Sequence, residues 1–96
     1  MTFCTLVEWD EGFPLDRYRE LSERAGDQDA LPDGCLARVV GGAEPGACVI
    51  EIWQSEDDAK RFSAKSSPWI AELQIPPPTR IAAFEAQIFQ ARATTL

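Results

Sequence analysis

The chain has 96 residues, a net charge of −7 from 9 basic and 16 acidic side chains, no histidine and three cysteines. That length predicts one domain, near the low end of what buries a core unaided, so cover from a second subunit is expected. The missing His excludes His-ligated haem, His-containing zinc sites and Ser-His or Cys-His nucleophiles, and the acidic balance argues against nucleic acid, whose phosphates need clustered Lys and Arg.

No run approaches the ~20 apolar residues of a membrane span, and Met1 to Thr5 lacks the basic-then-apolar order of a signal peptide. Cys4, Cys35 and Cys48 each sit in an apolar segment without CxxC pairing, which reads as free, buried thiols of a reducing cytoplasm. Neither a metal nor a cofactor is expected.

Residues 3–9 (Phe-Cys-Thr-Leu-Val-Glu-Trp) are aromatic, β-branched and apolar at both parities, which predicts a central strand. Asp10-Glu11-Gly12 breaks it, and Pro14 suits the first turn of a helix. Leu15, Tyr18, Leu21 and Ala25 recur at helical spacing, with Gly26 at the C′ position. A polar loop closing in Pro32-Asp33-Gly34 leads into a second strand over 35–40. Gly41 to Gly46 forms a turn before a third strand over 48–53, and a short Gly/Pro-rich loop between two such runs predicts an antiparallel hairpin.

Ser55 with Asp58 three residues on resembles a capping box, opening a second helix through Ala59, Phe62 and Ala64. Ser67-Pro68 restarts a short helix carrying Trp69, Ile70 and Leu73. Pro76-Pro77-Pro78 then makes a stiff extended connector into a fourth strand over 80–90. The reading is one domain over residues 1–90 and a loose tail over 91–96. The element order β-α-β-β-α-β is the α+β, ferredoxin-like pattern, in which two helices cover one face of a four-stranded antiparallel sheet. Nothing in the chain is left to cover the other face, and a second copy is the simplest cover.

The run Trp53-Gln54-Ser55-Glu56-Asp57-Asp58-Ala59-Lys60-Arg61-Phe62, following an apolar strand, resembles the W-x-S-x-E-x-A-x-x-F hallmark of dimeric α/β-barrel proteins of the antibiotic-biosynthesis-monooxygenase type. The Pro14 to Tyr18 helix opening, Pro32-Asp33-Gly34 and Ile75 to Pro78 fit the same pattern, so the resemblance spans about residues 3–90. It implies a homodimeric barrel. The activities it implies range over cofactor-independent monooxygenases, polyketide cyclases, isomerases and haem-degrading enzymes. The haem-degrading branch needs a His ligand that is absent here, and Gln87 stands where many relatives carry a His near the end of strand four.

Glu51 is the most informative residue, because a lone carboxylate inside Val49-Ile50-Glu51-Ile52-Trp53 is costly to bury unless paired or neutral. Desolvation of that kind makes a carboxylate a usable general base near neutral pH. Alternation places Val49, Glu51 and Trp53 on one face and Cys48, Ile50 and Ile52 on the other. The second, purely apolar set is expected against the helices, which leaves Glu51 pointing into a cavity between subunits.

Arg38 interrupts the second strand in the same way. If the paired residue numbers of the hairpin sum to an odd value, Arg38 and Glu51 share a face. Arg38 then either holds a ligand oxyanion or forms a cross-strand ion pair with Glu51. Glu85 and Gln87 alternate against Phe84, Ala86 and Ile88, which places them in the cavity or on the wet face of an edge strand. Trp9, Trp53, Trp69, Tyr18 and Phe62 suffice to line an aromatic slot, or else form plain core. The acidic run Glu56-Asp57-Asp58 suits a helix N-terminus and not a metal.

These features point to a cofactor-free oxygenase or cyclase of secondary metabolism, acting on a planar, polyketide-like aromatic with Glu51 as base and Arg38 at the oxyanion. The alternative is a non-catalytic module that binds a small-molecule ligand or a partner in the same cavity. Neither a nucleic acid nor a membrane is an expected partner.

Overall fold

The computed structural model describes residues 2–13, 15–26, 30–42 and 46–90. Pro14, the middle of the Gly41 to Gly46 turn and the predicted tail therefore lie outside the described residues. The elements run β1 (Phe3–Trp9), α1 (Leu15–Ala25), β2 (Cys35–Gly41), β3 (Ala47–Trp53), α2 (Glu56–Glu72) and β4 (Arg80–Glu85). The sheet order is β2-β3-β1-β4, antiparallel at every pair, so β1 is central as its two-sided apolar pattern predicts. This is the ferredoxin-like α+β architecture.

Local chemistry sets the ends of the helices. Gly26 takes φ 73° just past α1, a left-handed conformation that costs glycine nothing, and its N–H donates to the Glu23 carbonyl. At α2, the Ser55 hydroxyl accepts from the Asp58 N–H at 3.2 Å and donates to the Asp58 carboxylate at 2.8 Å. The capping pair read in the sequence is thus formed.

The expected break at Ser67-Pro68 does not occur: α2 runs unbroken through Pro68. The proline removes one backbone donor but leaves the turns around it hydrogen-bonded. The Ser66 hydroxyl donates to the Phe62 carbonyl at 2.9 Å, and beyond the proline the Leu73 N–H reaches Trp69. The helix ends in a Schellman motif with Gln74 at φ 55°, where the Ile75 N–H donates to the Ile70 carbonyl.

The fourth strand is shorter than predicted, ending at Glu85 and not at residue 90. Phe3 opens β1 and pairs with Glu85, so beyond Ala86, whose N–H reaches the Thr2 carbonyl, no neighbouring strand among the described residues is there to bond.

The two faces of the sheet are the reverse of the expected ones. Phe3, Thr5, Val7 and Trp9 of β1, with Val49, Glu51 and Trp53 of β3, lie under the helices. Cys48, Ile50 and Ile52 lie on the uncovered side. Alternation dictates which residues share a face but not which face the helices take. The deciding quantity is apolar area. Trp53 (1% exposed), Val49 (5%), Phe3 (8%) and Trp9 (9%) bury more of it than the smaller set opposite. No helix of the described residues is long and apolar enough to cross a membrane.

Candidate functional site

Between the sheet and its two helices lies a cavity of about 370 Å³. Its floor is a series of side-chain rows crossing the sheet. The middle row is polar: Arg38 opposite Glu51 on the β2–β3 pair, Glu51 opposite Thr5 on β3–β1, and Thr5 opposite Ala83 on β1–β4. On one side of it runs an aliphatic row, Val40, Val49, Val7 and Ile81. On the other lies an aromatic row containing Trp53 and Phe3. The register pairs 38 with 51, the odd sum that places both charges on one face.

Arg38 donates from Nε at 2.8 Å and from Nη2 at 2.7 Å, both to Glu51 Oε2. The two side chains are only 11% and 14% exposed, so this is a largely desolvated, charge-assisted pair. The guanidinium also sits 5.5 Å from the centre of the Phe62 ring, a cation–π distance. The carboxylate is therefore not the isolated charge its neighbours in sequence imply. Both contacts converge on one oxygen, and among the described residues no hydrogen bond reaches Oε1.

Aromatic rings close the two ends. Trp53 packs on Phe62 at 5.6 Å, and its indole N–H donates to Thr5 Oγ1 over a long 3.4 Å. At the other end Trp9, Phe13 and Tyr18 form a chain of rings with centres 5.0 and 5.7 Å apart. The Trp9 indole N–H donates to the Pro76 carbonyl at 2.9 Å, which clips the triple-proline connector across the cavity end. An open groove of about 710 Å³ along α1 and the hairpin shares Tyr18, Ser22 and Arg38 with the cavity, so Arg38 stands at the boundary of both.

Of the site residues predicted from sequence, Arg38, Glu51, Trp53, Trp9, Tyr18 and Phe62 line this cavity together. Trp69, Glu85 and Gln87 do not. Trp69 is half-buried on α2 away from the cavity wall, Glu85 is exposed at the last pair of β4, and Gln87 is exposed beyond the strand. Sequence reasoning missed Thr5 and the prolines of the connector. The signal for Thr5 was a lone hydroxyl at the same parity as Phe3, Val7 and Trp9 in an otherwise apolar strand. Among the described residues no group of His, Cys, Asp or Glu is gathered as a metal site requires.

No family model and no curated protein matches the sequence. Solved structures do. A protein of Chloroflexus aurantiacus assigned as an antibiotic biosynthesis monooxygenase superposes with a TM-score of 0.65 at 15% identity, over 95% of this chain and 98% of its own. A variant of SnoaB, a cofactor-independent oxygenase from Streptomyces nogalater, gives 0.66 at 13% identity over 95% and 98%. The monooxygenase ActVA-Orf6 of Streptomyces coelicolor, in complex with nanaomycin D, gives 0.61 at 17% identity over 95% and 92%. The chain has the antibiotic-biosynthesis-monooxygenase fold. The likeness covers 95% of this chain and nearly the whole of each matched structure. At these identities it is a statement about the fold, and the activity has to be argued from the cavity.

Proposed function

We propose that this chain is a small-molecule enzyme of secondary metabolism: a cofactor-independent oxygenase acting on a planar, hydroxylated, polyketide-like aromatic held in the cavity. The observation that carries the proposal is the Arg38–Glu51 ion pair set into a largely apolar and aromatic wall, with Glu51 Oε1 receiving no hydrogen bond among the described residues. Glu51 takes the proton of a substrate hydroxyl. As its carboxylate is neutralised, the Arg38 guanidinium exchanges that partner for the new phenolate, so the net charge in the cavity is unchanged while the reacting oxygen is held.

The resulting enolate is electron-rich at carbon and reduces O₂ directly. The hydroxyl is the enol of a ring ketone, so the reacting carbon carries one hydrogen. A C–O bond forms there, and Glu51 returns its proton to the peroxide anion to give the hydroperoxide. Loss of water, breaking the remaining C–H bond and the O–O bond, leaves a carbonyl. One oxygen atom ends in the product and the other in water. The same enolate attacking an internal carbonyl gives the cyclase version of the chemistry, with the Glu51 proton returned to the new alkoxide. The three similar structures described above are named as oxygenases, and one is in complex with nanaomycin D, which supports the oxygenase form.

The working unit is proposed to be a homodimer. Val39 (60% exposed), Phe84 (55%) and Ile50 (38%) lie on the face that no helix covers, an arrangement suited to a second copy.

Oxygen uptake with hydroxylated anthrones, measured on the parent and on Glu51→Gln, tests the chemistry. The parent is expected to consume O₂ and form the anthraquinone, and the variant to turn over ~10²–10⁴ more slowly. Equal rates would remove Glu51 from the reaction. Tight binding without O₂ uptake would assign the chain to the ligand-binding modules.

A further inference from the structure

We propose that the Thr5 hydroxyl is the second donor of the oxyanion site, flanking the substrate oxygen from the strand opposite Arg38; the assignment rests on the reading of Glu51 as proton acceptor. A hydroxyl has one hydrogen to give and two lone pairs to receive with. The indole N–H of Trp53 can only donate, so in the contact at 3.4 Å Thr5 Oγ1 is the acceptor and its own hydrogen is not used in that contact. Among the described residues nothing accepts it. Thr5 nevertheless sits half-buried in the cavity wall, where a donor without an acceptor is costly.

Its neighbour across the strand pair is Glu51, whose Oε1 also receives nothing among the described residues. Two unspent groups, one donor and one acceptor, therefore stand side by side in one row of the floor. Adjacent strands lie about 4.8 Å apart. A substrate oxygen seated over Glu51 thus has the guanidinium one strand away on one side and the Thr5 hydroxyl one strand away on the other. Before proton transfer the substrate O–H fills the Oε1 vacancy. After it, the oxyanion accepts from Thr5 and Arg38 together, and both unspent groups are satisfied in turn. Thr5 reads the substrate for an ionisable oxygen at that point of the ring system. Trp53 acts through Thr5, as the group that turns its hydrogen toward the cavity.

The probe is 1,8-dihydroxyanthraquinone, a planar phenol already at the quinone level, whose ionisation is followed by its visible absorbance. Bound to the parent and titrated with base, it is compared with probe bound to Thr5→Val, Thr5→Ala and Thr5→Ser. Losing a donor to the anion is expected to raise the bound probe's ionisation by about half to one pH unit in the Val and Ala variants, a three- to tenfold change in the constant, and Ser restores the parent value. A purely structural Thr5 would move the melting temperature and leave the titration in place. If Val and Ala variants that bind the probe titrate with the parent, the donor role is overturned while the cavity reading stands. Failure of the parent to bind the probe at all overturns the cavity reading and the Thr5 role with it.

Discussion

The two faces of the sheet carry opposite patterns, each contrary to what a solitary domain shows. The covered face holds a largely desolvated ion pair: Arg38 and Glu51 lie beneath the helices beside Trp53 and Val49. The uncovered face holds exposed aliphatic and aromatic side chains, Val39, Ile50 and Phe84 among them. A monomer selected only for stability keeps its charges in water and leaves no such apolar set exposed. Buried charge is tolerated because the pair is mutually satisfied, and it is retained, on the present reading, because a cavity that handles a proton needs it. Exposed apolar surface is tolerated when another surface removes it from water. On the proposed function, the inner face serves the chemistry and the outer one association.

The largest effect is expected from breaking that distinction on the outer face. Ile50→Lys places an ammonium in the middle of the proposed interface, where it has no partner. The dimer is expected to weaken by at least about 4 kcal/mol, roughly a thousandfold in its dissociation constant. Sedimentation should then show the parent as a dimer and the variant at the 10.6 kDa of a single chain. A parent that sediments at the single-chain mass across the micromolar range would sink the second-copy proposal and leave the outer face unexplained.

On the inner face the corresponding test is Arg38→Met, which leaves the Glu51 carboxylate without its charge partner. Removing one member of a fully buried pair costs ~3–5 kcal/mol. With side chains 11% and 14% exposed, water relieves part of that, and about 2–4 kcal/mol is expected. For a domain of this size that is a fall in melting temperature of roughly 10–25 °C. Adding Glu51→Gln to Arg38→Met should recover most of it, because two neutral side chains leave no stranded charge. A neutral Arg38→Met would mean that the pair contributes nothing to the covered face.

The element order, the central position of β1 and the capping of α2 were all legible in the sequence, because each follows from a local or near-local pattern. The side of the sheet was not. Glu51 shares its parity with Val49 and Trp53, and from alternation alone either set of β3 residues could face the helices. The choice is made by Phe3, Trp9, Val49 and Trp53 together, a sum over strands distant in sequence. The same limit applies to β4: residues 86–90 keep the composition of a strand, but they lie past the end of β1 and have nothing to pair with. Sequence alone leaves the parity of the hairpin open, and the observed odd-sum register is what unites Arg38 and Glu51 on one face. Thr5 went unread because one hydroxyl in an apolar strand is ordinary until the residue opposite it is known to be Glu51.

The smallest effect belongs to the outside of the cover itself. Pro68 lies on the exposed side of α2, within a helix that continues past it. Its ring has no N–H for the carbonyl of Ala64, one turn back, and Ala64 is itself exposed, so water can reach that group. Pro68→Ala restores the donor and raises helix propensity, by up to ~3 kcal/mol in a helix that the proline strains fully. Against this, alanine gives the unfolded chain back about 0.4–1 kcal/mol of conformational freedom. The observed continuity of α2 means that much of the strain is already relieved. The net gain is expected to be about 1 kcal/mol, a rise of roughly 4–8 °C in melting temperature. Because the change is on the wet side of the helix, probe binding in the cavity should not move. A variant that melts lower and binds the probe more weakly would show instead that the proline sets the curve of α2 over the floor, and that the inner face depends on a residue which never touches it.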